Sequence, residues 1–231
     1  MHPAGENQTV VSEPKWLGGA LLVGFPLLGA GLGWGLNLIA ELITGLRWFP
    51  LQGLFEQFTE LSGTVRLIVA LAVGAAAGLV LALIGVHEML TVTVDRRRLR
   101  LERGDYDRTV EAADVASVFV EDKRLVVLGR RRQELARVQF DLKRENLVEA
   151  LRRHGYAWRP GGDPYEDDYR RWVPEAEGLP KGAEPLLKAR QRALEKSEGK
   201  ELEELRDELA SLDVVLRDKD KKQYWRLSDP S

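Results

Sequence analysis

The sequence predicts a multi-domain chain with three folded parts: an α-helical transmembrane hairpin, an antiparallel β module ending in a helix, and a small α+β module of two helices plus a β-hairpin. Residues 1–88 hold three Lys/Arg and six Asp/Glu, whereas the remaining 143 residues hold 31 and 30. Two long uncharged runs lie in the charge-poor part, and hydrophobic spacing alternates between strand-like and helical in the charge-rich part. This composition is typical of a membrane anchor fused to soluble modules. The expected divisions are a disordered N-terminus (1–15), the hairpin (16–88), the β module (89–158), a linker (159–184) and the α+β module (185–231).

The two uncharged runs are long enough to cross a bilayer. Leu17–Ala40 covers 24 residues and Leu67–Val86 covers 20, and about 20 residues suffice at the rise of an α-helix. The alternative for the first run is a cleaved signal peptide. That run is too long for one, and the region before it carries one lysine and no basic cluster. We therefore predict two membrane spans.

Glycines within the spans have the spacing of a helix-packing motif. Gly31 and Gly35 in the first span, and Gly74 and Gly78 in the second, are each four residues apart. Small residues let helices approach closely in a membrane. We expect them to pack the two spans together, and a homodimer through the glycine-rich spans is the second use. Pro26 is expected to kink the first span.

The charges that flank the spans predict their orientation. The stretch "DRRRLRLER" follows the second span and carries five arginines, whereas the loop between the spans carries only Arg47 and Arg66. Because positive flanks stay in the cytoplasm, we expect a multi-pass protein of the cell inner (plasma) membrane with both termini cytoplasmic. Between the spans, Trp48–Leu61 has helical spacing of apolar residues and is expected to lie on the outer leaflet.

From Thr91 the apolar residues alternate with a period of two, as in strands. Ser117–Glu121 and Arg124–Leu128 read as a hairpin with a two-residue turn, and "ELARVQFDL" as a further strand. Helical spacing then returns in "KRENLVEALRR", which Asp141 is expected to cap and Gly155 to end. Antiparallel strands followed by one helix resemble the bacterial pleckstrin-homology-like domain over Met89–Trp158.

This module is basic, with 17 Lys/Arg against 12 Asp/Glu between residues 89 and 160. Anionic lipid attracts basic residues near a membrane with about 1 kcal/mol each. Five arginines next to the second span are the candidates for lipid contact: Arg96, Arg97, Arg98, Arg100 and Arg103. The alternative is that they act only as topology signals. A second basic stretch, Arg130–Arg132, is interpreted as a solvated turn.

The C-terminal part combines two amphipathic helices with two short strands. "LLKARQRALEK" and "KELEELRDELASL" have helical spacing of leucines, and "VVLRD" and "QYWRL" alternate about a polar turn. The leucine stripe needs an apolar cover, which Val214, Leu216, Trp225 and Leu227 would supply. We therefore predict that Trp225 is mainly a core residue.

The same residues carry a resemblance. "ARQRALEK", "ELRDELASLDVVLRD" and "QYWR" resemble the C-terminal anticodon-binding module of cysteinyl-tRNA synthetases, although Asp213 replaces a glycine usual in that family. The resemblance implies four RNA or partner contacts: Arg190, Arg206, Trp225 and Arg226. The three histidines are far apart in the sequence, so no synthetase catalytic motif is present. The whole layout resembles the YqeB-like family of bacterial membrane proteins.

Function follows less directly than architecture. We expect a non-enzymatic membrane scaffold or adaptor that presents two cytoplasmic modules to an unknown protein partner, with no cofactor and no metal. The alternative is a membrane-tethered protein that binds RNA or tRNA. Residues 161–231 carry 14 Lys/Arg and 18 Asp/Glu, which disfavours RNA because phosphate binding normally shows a basic footprint. A small transporter is a third and weaker alternative, because the spans contain no charge.

Overall fold

The computed structural model describes residues 8–44 and 62–229. The chain forms two compact units: Ser12–Met89, and a second unit that combines the N-terminal strand with the chain from Leu90 onward. The predicted three-part architecture is confirmed. The predicted amphipathic connector, Trp48–Leu61, lies outside the described residues.

The first unit is a pair of long apolar helices. Helix α1 spans Lys15–Thr44 and contains Pro26, and helix α2 spans Gly63–His87. Both are long and apolar enough to cross a membrane, with mean hydropathies of 1.6 over Lys15–Leu36 and 2.8 over Gly63–His87. Most of their large side chains are exposed, as expected for helices in contact with lipid.

Glycines allow the two helices to touch through their backbones. A Cβ placed on Gly29 would lie 2.0 Å from the carbonyl oxygen of Gly74, and one placed on Gly78 would lie 2.1 Å from that of Phe25. The second span therefore packs through Gly74 and Gly78, as predicted. In the first span the prediction was wrong, because a Cβ placed on Gly31 or Gly35 would meet no atom of the other helix within 4 Å. The contact falls on Gly29 and Gly33 instead, on another face of the helix.

In the described residues, the pleckstrin-homology-like module of the second unit has seven strands in two sheets and one helix, and the strands from β2 to β4 and from β5 to β7 pair antiparallel. The first sheet has the order β1-β2-β3-β4 and the second β5-β6-β7. The elements are β1 (Gln8–Ser12), β2 (Thr91–Asp95), β3 (Arg98–Arg103), β4 (Tyr106–Glu111), β5 (Val115–Glu121), β6 (Arg124–Gly129), β7 (Glu134–Gln139) and helix α3 (Arg144–Arg153). The predicted hairpin is β5–β6, and its turn residues Asp122 and Lys123 have φ of 47° and 58°, as a tight two-residue hairpin turn requires.

One core joins both sheets to helix α3. Val92, Val94, Leu99 and Leu101 point into it from the first sheet, and Leu147 and Leu151 from α3, all fully buried. The predicted cap of α3 is wrong: Asp141 instead pairs with Arg103 at 2.9 Å, and Lys143 is the residue before the helix. Gly155, with φ of 84°, follows the end of the helix as predicted.

The N-terminus departs from the predicted disorder. Residues 8–12 form strand β1, which lies beside β2 in the first sheet, and Val11 is buried in the core. Thr9 Oγ1 also lies 2.9 Å from His154 Nε2 after helix α3. The helical hairpin is thus inserted in the chain between two neighbouring strands of one sheet.

The C-terminal module contains two helices over a three-stranded sheet. Helix α4 spans Ala183–Lys196 and α5 spans Gly199–Ser211, and the sheet has the order β8-β10-β9. Its strands are β8 (Arg170–Arg171), β9 (Val214–Lys219) and β10 (Lys222–Leu227). Trp172, Leu187, Leu209, Leu216 and Trp225 are among the core residues between helices and sheet.

Residues 159–184 are folded onto both modules, contrary to the linker prediction. Strand β8 pairs with β10, Trp172 is buried in the C-terminal core, and the Asp163 side chain is fully buried. Proline and glycine in this stretch therefore fix turns. Trp225 is 4 % exposed, as predicted, but Leu227 is 43 % exposed and does not cover the helices.

Candidate functional site

The second sheet of the pleckstrin-homology-like module is covered on both faces. Val118, Leu125 and Val127 point into the main core, whereas Phe119 and Val126 form a separate buried cluster against Tyr165. The near-continuous apolar runs "SVFV" and "LVVLG" are the sequence signal of a strand buried on both faces. Sequence reasoning recognised these strands but missed the second covered face, which is where the C-terminal module docks.

A buried ion network joins the two modules at this face. It contains five arginines and four carboxylates, drawn from β5, β7, α4, α5, β9, β10 and the segment before β8. Its members are Glu121, Glu134, Arg137, Asp163, Arg190, Arg206, Arg217, Asp218 and Arg226.

Glu134 of strand β7 is the first centre of the network. It pairs with Arg137 of its own strand at 3.2 Å, with Arg206 of α5 at 3.5 Å, and with Arg217 of β9 in a very short contact. Its side chain is 10 % exposed. Three guanidinium groups therefore surround one nearly buried carboxylate, and two of them belong to the other module.

Asp163 is the second centre of the network. Arg217 donates to its Oδ2 at 2.7 Å, Tyr169 donates its hydroxyl to the same oxygen at 3.0 Å, and Arg226 lies 3.7 Å away. The guanidinium of Arg226 also sits 5.1 Å from the ring centre of Tyr169, a cation–π distance. Asp163, in the segment before β8, is thereby bonded to both β9 and β10.

Arg190 and Asp218 form the third centre, inside the C-terminal module. Arg190 is 1 % exposed and binds both carboxylate oxygens of Asp218, at 2.6 and 2.8 Å. It also donates to Gln223 Oε1 at 3.0 Å. This two-pronged geometry is the strong form of an arginine–carboxylate pair. Arg206 connects it to Glu134, because Arg206 lies 3.4 Å from Asp218 Oδ2.

Burial and charge act in opposite directions on the pKa values of the network. Burial alone would raise the pKa of the Glu134 carboxyl, but Arg217, Arg137 and Arg206 outweigh it and hold that pKa below its ordinary range. Burial lowers the pKa of Arg206 to about 10. Both Glu134 and Arg206 therefore remain charged near neutral pH.

The basic stretch Arg130–Arg132, expected to be solvated, also contacts the C-terminal module. Arg131 donates to the carbonyl oxygen of Asp229 at 3.0 Å, and its own carbonyl accepts from the Asp229 amide at 2.8 Å. The carbonyl of Arg132 accepts from Arg226 at 2.7 Å. Asp213, with φ of 61°, stands at the glycine position of the synthetase pattern and accepts from the Ser228 hydroxyl at 2.8 Å.

The four residues proposed from the resemblance for RNA or partner contact lie inside the fold. Arg190, Trp225 and Arg226 are at most 4 % exposed, and the Arg206 side chain is 18 % exposed. Arg190, Arg206 and Arg226 bind carboxylates and carbonyls of this chain, and Trp225 packs in the core. The structure therefore brings these four residues close together, but their side chains contact other residues of this chain and are largely inaccessible to RNA or a partner.

The five arginines proposed for lipid contact divide into two groups. Arg96 and Arg97 are exposed in the turn between β2 and β3, and Arg98, whose side chain is 60 % exposed, lies 3.9 Å from Asp95. Arg100, by contrast, binds Asp107 through two hydrogen bonds of 2.9 and 2.6 Å, and Arg103 binds Asp141. The first three therefore present charge to solvent more openly than the other two.

Comparison with known proteins gives three findings. Residues 9–159 match the family described as YqeB-like bacterial PH domain, and residues 176–226 match the family described as cysteinyl-tRNA ligase anticodon binding domain. An uncharacterised YqeB protein from Bacillus subtilis (strain 168) is 34 % identical over 224 residues, which cover 97 % of this chain and 93 % of that protein. No solved structure matches this chain. The two matched domains are described as a PH domain and an anticodon binding domain, and neither description names a catalytic domain.

Proposed function

We propose that this chain, which belongs to the YqeB-like family, is a non-enzymatic adaptor of the cell inner membrane that presents one rigid cytoplasmic platform to a protein partner. We call the second compact unit, with both of its modules, the platform. The observation that carries the proposal is the buried ion network, because a network of this kind fixes two modules at a single geometry. Fixed geometry serves recognition of a partner.

The chain path through the platform supports cytoplasmic placement of both termini. Strand β1 precedes helix α1, strand β2 follows helix α2, and the two strands are neighbours in one sheet. Paired strands must lie on the same side of a membrane, so the two helices cross it as a hairpin. The arginines from Arg96 onward support the cytoplasm as that side, because positive flanks stay cytoplasmic.

The chemistry of the network supports a structural role over a catalytic one. Its carboxylates and guanidinium groups are paired with each other, and all nine residues are buried or half-buried. A catalytic acid or base needs access to a substrate proton.

The exposed arginines Arg96–Arg98 support an additional contact with anionic lipid. They begin only nine residues after His87, the last residue of the second apolar helix, and anionic lipid attracts basic residues close to the membrane.

The second candidate function is a membrane-tethered RNA-binding protein. The match of residues 176–226 to an anticodon binding domain favours it. Burial of Arg190, Arg206, Trp225 and Arg226 opposes it, because stacking and phosphate contacts require exposed side chains. We therefore place the adaptor first.

Topology can be tested with introduced cysteines, because the natural sequence has none. We expect Glu203→Cys, on the exposed side of helix α5, to react with a membrane-impermeant maleimide only after the cells are permeabilised. Gln57→Cys, between the spans, should react in intact cells. Labelling of Glu203→Cys in intact cells would show that the platform is not cytoplasmic.

Partner class can be tested in the same cells. After cross-linking in intact membranes, the parent protein should recover a protein partner that the Glu134→Gln variant, with its modules uncoupled, recovers less well. Ultraviolet cross-linking should recover RNA no better than a chain truncated after residue 158. Recovery of RNA at a stoichiometric level by the parent alone would favour the second candidate over the adaptor.

A further inference from the structure

The C-terminal module has a groove whose charged lining residues are all cations. The groove has a volume of about 380 Å³ and lies between the stretch that follows β8, helix α4 and the start of β10. The cations are Arg171, Lys188, Arg192 and Lys222. All four are exposed. We call this feature the basic groove.

Three of these cations have no carboxylate partner among the described residues. Lys188 pairs with Glu184 at 3.3 Å, but among residues 8–44 and 62–229 no ion pair is made by Arg171, Arg192 or Lys222. The arginines of the buried network, by contrast, are surrounded by carboxylates. Three cations converging on one concavity repel each other, and an anionic ligand would relieve that repulsion.

The remaining lining residues are apolar or already hydrogen-bonded. Val173 is 48 % exposed and stands beside Pro174 on one wall. Gln223 forms part of the floor, where its amide nitrogen donates to the carbonyl oxygen of Leu187 at 2.9 Å and its amide oxygen accepts from Arg190. The floor is therefore occupied by internal bonds. Recognition falls to the cations and the apolar wall.

We propose that the basic groove binds a short acidic peptide segment of a partner protein, with carboxylates on the four cations and an apolar side chain against Val173 and Pro174. The inference rests on the proposed adaptor function and names the chemistry of its partner. A volume of this size is within the usual range for a ligand cleft, about 300–1,000 Å³. Arginine and lysine on two facing walls can each reach a different carboxylate of an extended peptide.

The surroundings of the basic groove favour a peptide over RNA. Residues 161–231 carry four more acidic than basic residues, so a long polyanion that leaves the groove meets a repulsive surface. The aromatic residue in the lining, Trp172, is 8 % exposed, and its indole nitrogen donates to Glu184 at 3.2 Å. It offers no free face for a base to stack on. A short acidic segment needs only the local positive charge.

The test uses the full chain in nanodiscs of uncharged phosphatidylcholine, so that lipid does not compete for the cations. The probe is a fluorescein-labelled, glutamate-rich peptide with a central pair of leucines, and binding is measured by fluorescence anisotropy at about 0.1 M salt, where the Debye length is about 10 Å. Replacing Arg171, Arg192 and Lys222 together by glutamine should weaken binding about tenfold or more, since each exposed ion pair adds a modest amount. The same peptide with glutamine in place of glutamate should bind neither protein.

The matched control changes the same amount of charge on another surface. Arg144, Arg152 and Arg153 lie on the exposed side of helix α3, in a more open depression of about 660 Å³ that also contains Glu145 and Glu149. Their combined replacement by glutamine should change the affinity by no more than about twofold, because charges beyond about a Debye length are screened. An equal loss in both triple variants would show that the peptide responds to net charge and would overturn the proposal.

Two further measurements test the apolar wall of the groove and RNA as an alternative ligand. Val173→Ser should weaken binding of the leucine-containing peptide but leave binding of an all-glutamate peptide unchanged. A single-stranded RNA of the same charge should bind more weakly than the peptide; tighter RNA binding that the groove variant abolishes would overturn the peptide assignment. These measurements do not depend on topology, so the groove can fail while the maleimide test succeeds, and the reverse.

Discussion

Glu134→Gln should uncouple the two modules of the platform, because it removes the charge that three arginines share. Breaking a buried ion pair by removing one partner costs about 3–5 kcal/mol. Arg217 and Arg206 each keep a second carboxylate, Asp163 at 2.7 Å and Asp218 at 3.4 Å, so we expect the lower end, about 3 kcal/mol. At about 2–4 °C per kcal/mol for a domain of this size, the melting temperature should fall by about 6–12 °C.

The assay is tryptophan fluorescence of the full chain in detergent during heating. A matched control exists, because Glu203 of α5 and Arg124 of β6 also form an ion pair between the modules, at 4.0 Å, but with side chains 73 % and 44 % exposed. An exposed pair of this kind adds about 0–1 kcal/mol, so Glu203→Gln should lower the melting temperature by less than about 4 °C. If the two variants melt alike, burial of the network does not stabilise the docked modules.

The same pair of variants gives a pH signature. The folded-state pKa of Glu134 lies below its ordinary value, so the folded platform binds fewer protons at this group than the unfolded chain. The stabilisation is therefore complete above about pH 4.5, and it is lost as the pH falls through the folded pKa. The difference in melting temperature between parent and Glu134→Gln should stay constant from pH 7 to about 5 and shrink below about pH 4. A difference that grows in acid would contradict the assignment.

Two further substitutions test the packing of the C-terminal core and of the helical hairpin. Trp225→Ala should lower the free energy of unfolding by about 3–5 kcal/mol, measured by denaturant titration, whereas Leu227→Ala on the same strand should cost less than about 1 kcal/mol because Leu227 is 43 % exposed. Equal costs would mean that the strand does not bury Trp225. Gly29→Ala should force helices α1 and α2 apart, since its Cβ would lie 2.0 Å from a carbonyl oxygen, whereas Gly31→Ala meets nothing within 4 Å. A slower, less compact band on a denaturing gel for Gly29→Ala alone would bear this out, and equal mobility of the two would refute it.

Regular patterns in the sequence predicted most of the fold. The two uncharged runs, the strand alternation after Thr91 and the leucine spacing of α4 and α5 each correspond to an element of the structure. Such patterns are visible because one face of an element is buried and the other is not. The four-residue spacing of the glycines predicted the right helix pair, but rotation about α1 selects Gly29 over Gly31, and spacing alone cannot specify that rotation.

The failures share a physical cause, which is pairing between segments distant in sequence. Strand β1 is five residues long with one buried side chain, Val11, and its neighbour β2 begins about 80 residues later in the chain. The segment before β8 resembles a linker in composition. Its Asp163 is nevertheless buried, because it forms ion pairs with Arg217 and Arg226 of distant strands. A lone aspartate between glycine and proline gives no local sign of those partners.

The strand β10 shows why the candidate contacts with RNA could not be assigned from the sequence. Trp225 faces the helices of its own module, whereas Arg226 faces Asp163 and the carbonyl of Arg132. Alternation along a strand predicts that neighbouring side chains point to opposite faces, and ordinarily only one of those faces is covered. Here the second face is covered by the pleckstrin-homology-like module. The surface on which Arg206, Arg217 and Arg226 would otherwise present their charge is therefore an internal interface, and recognition of a partner by this module must use residues outside it. The basic groove, on the side of the module formed by α4 and the start of β10, satisfies that requirement.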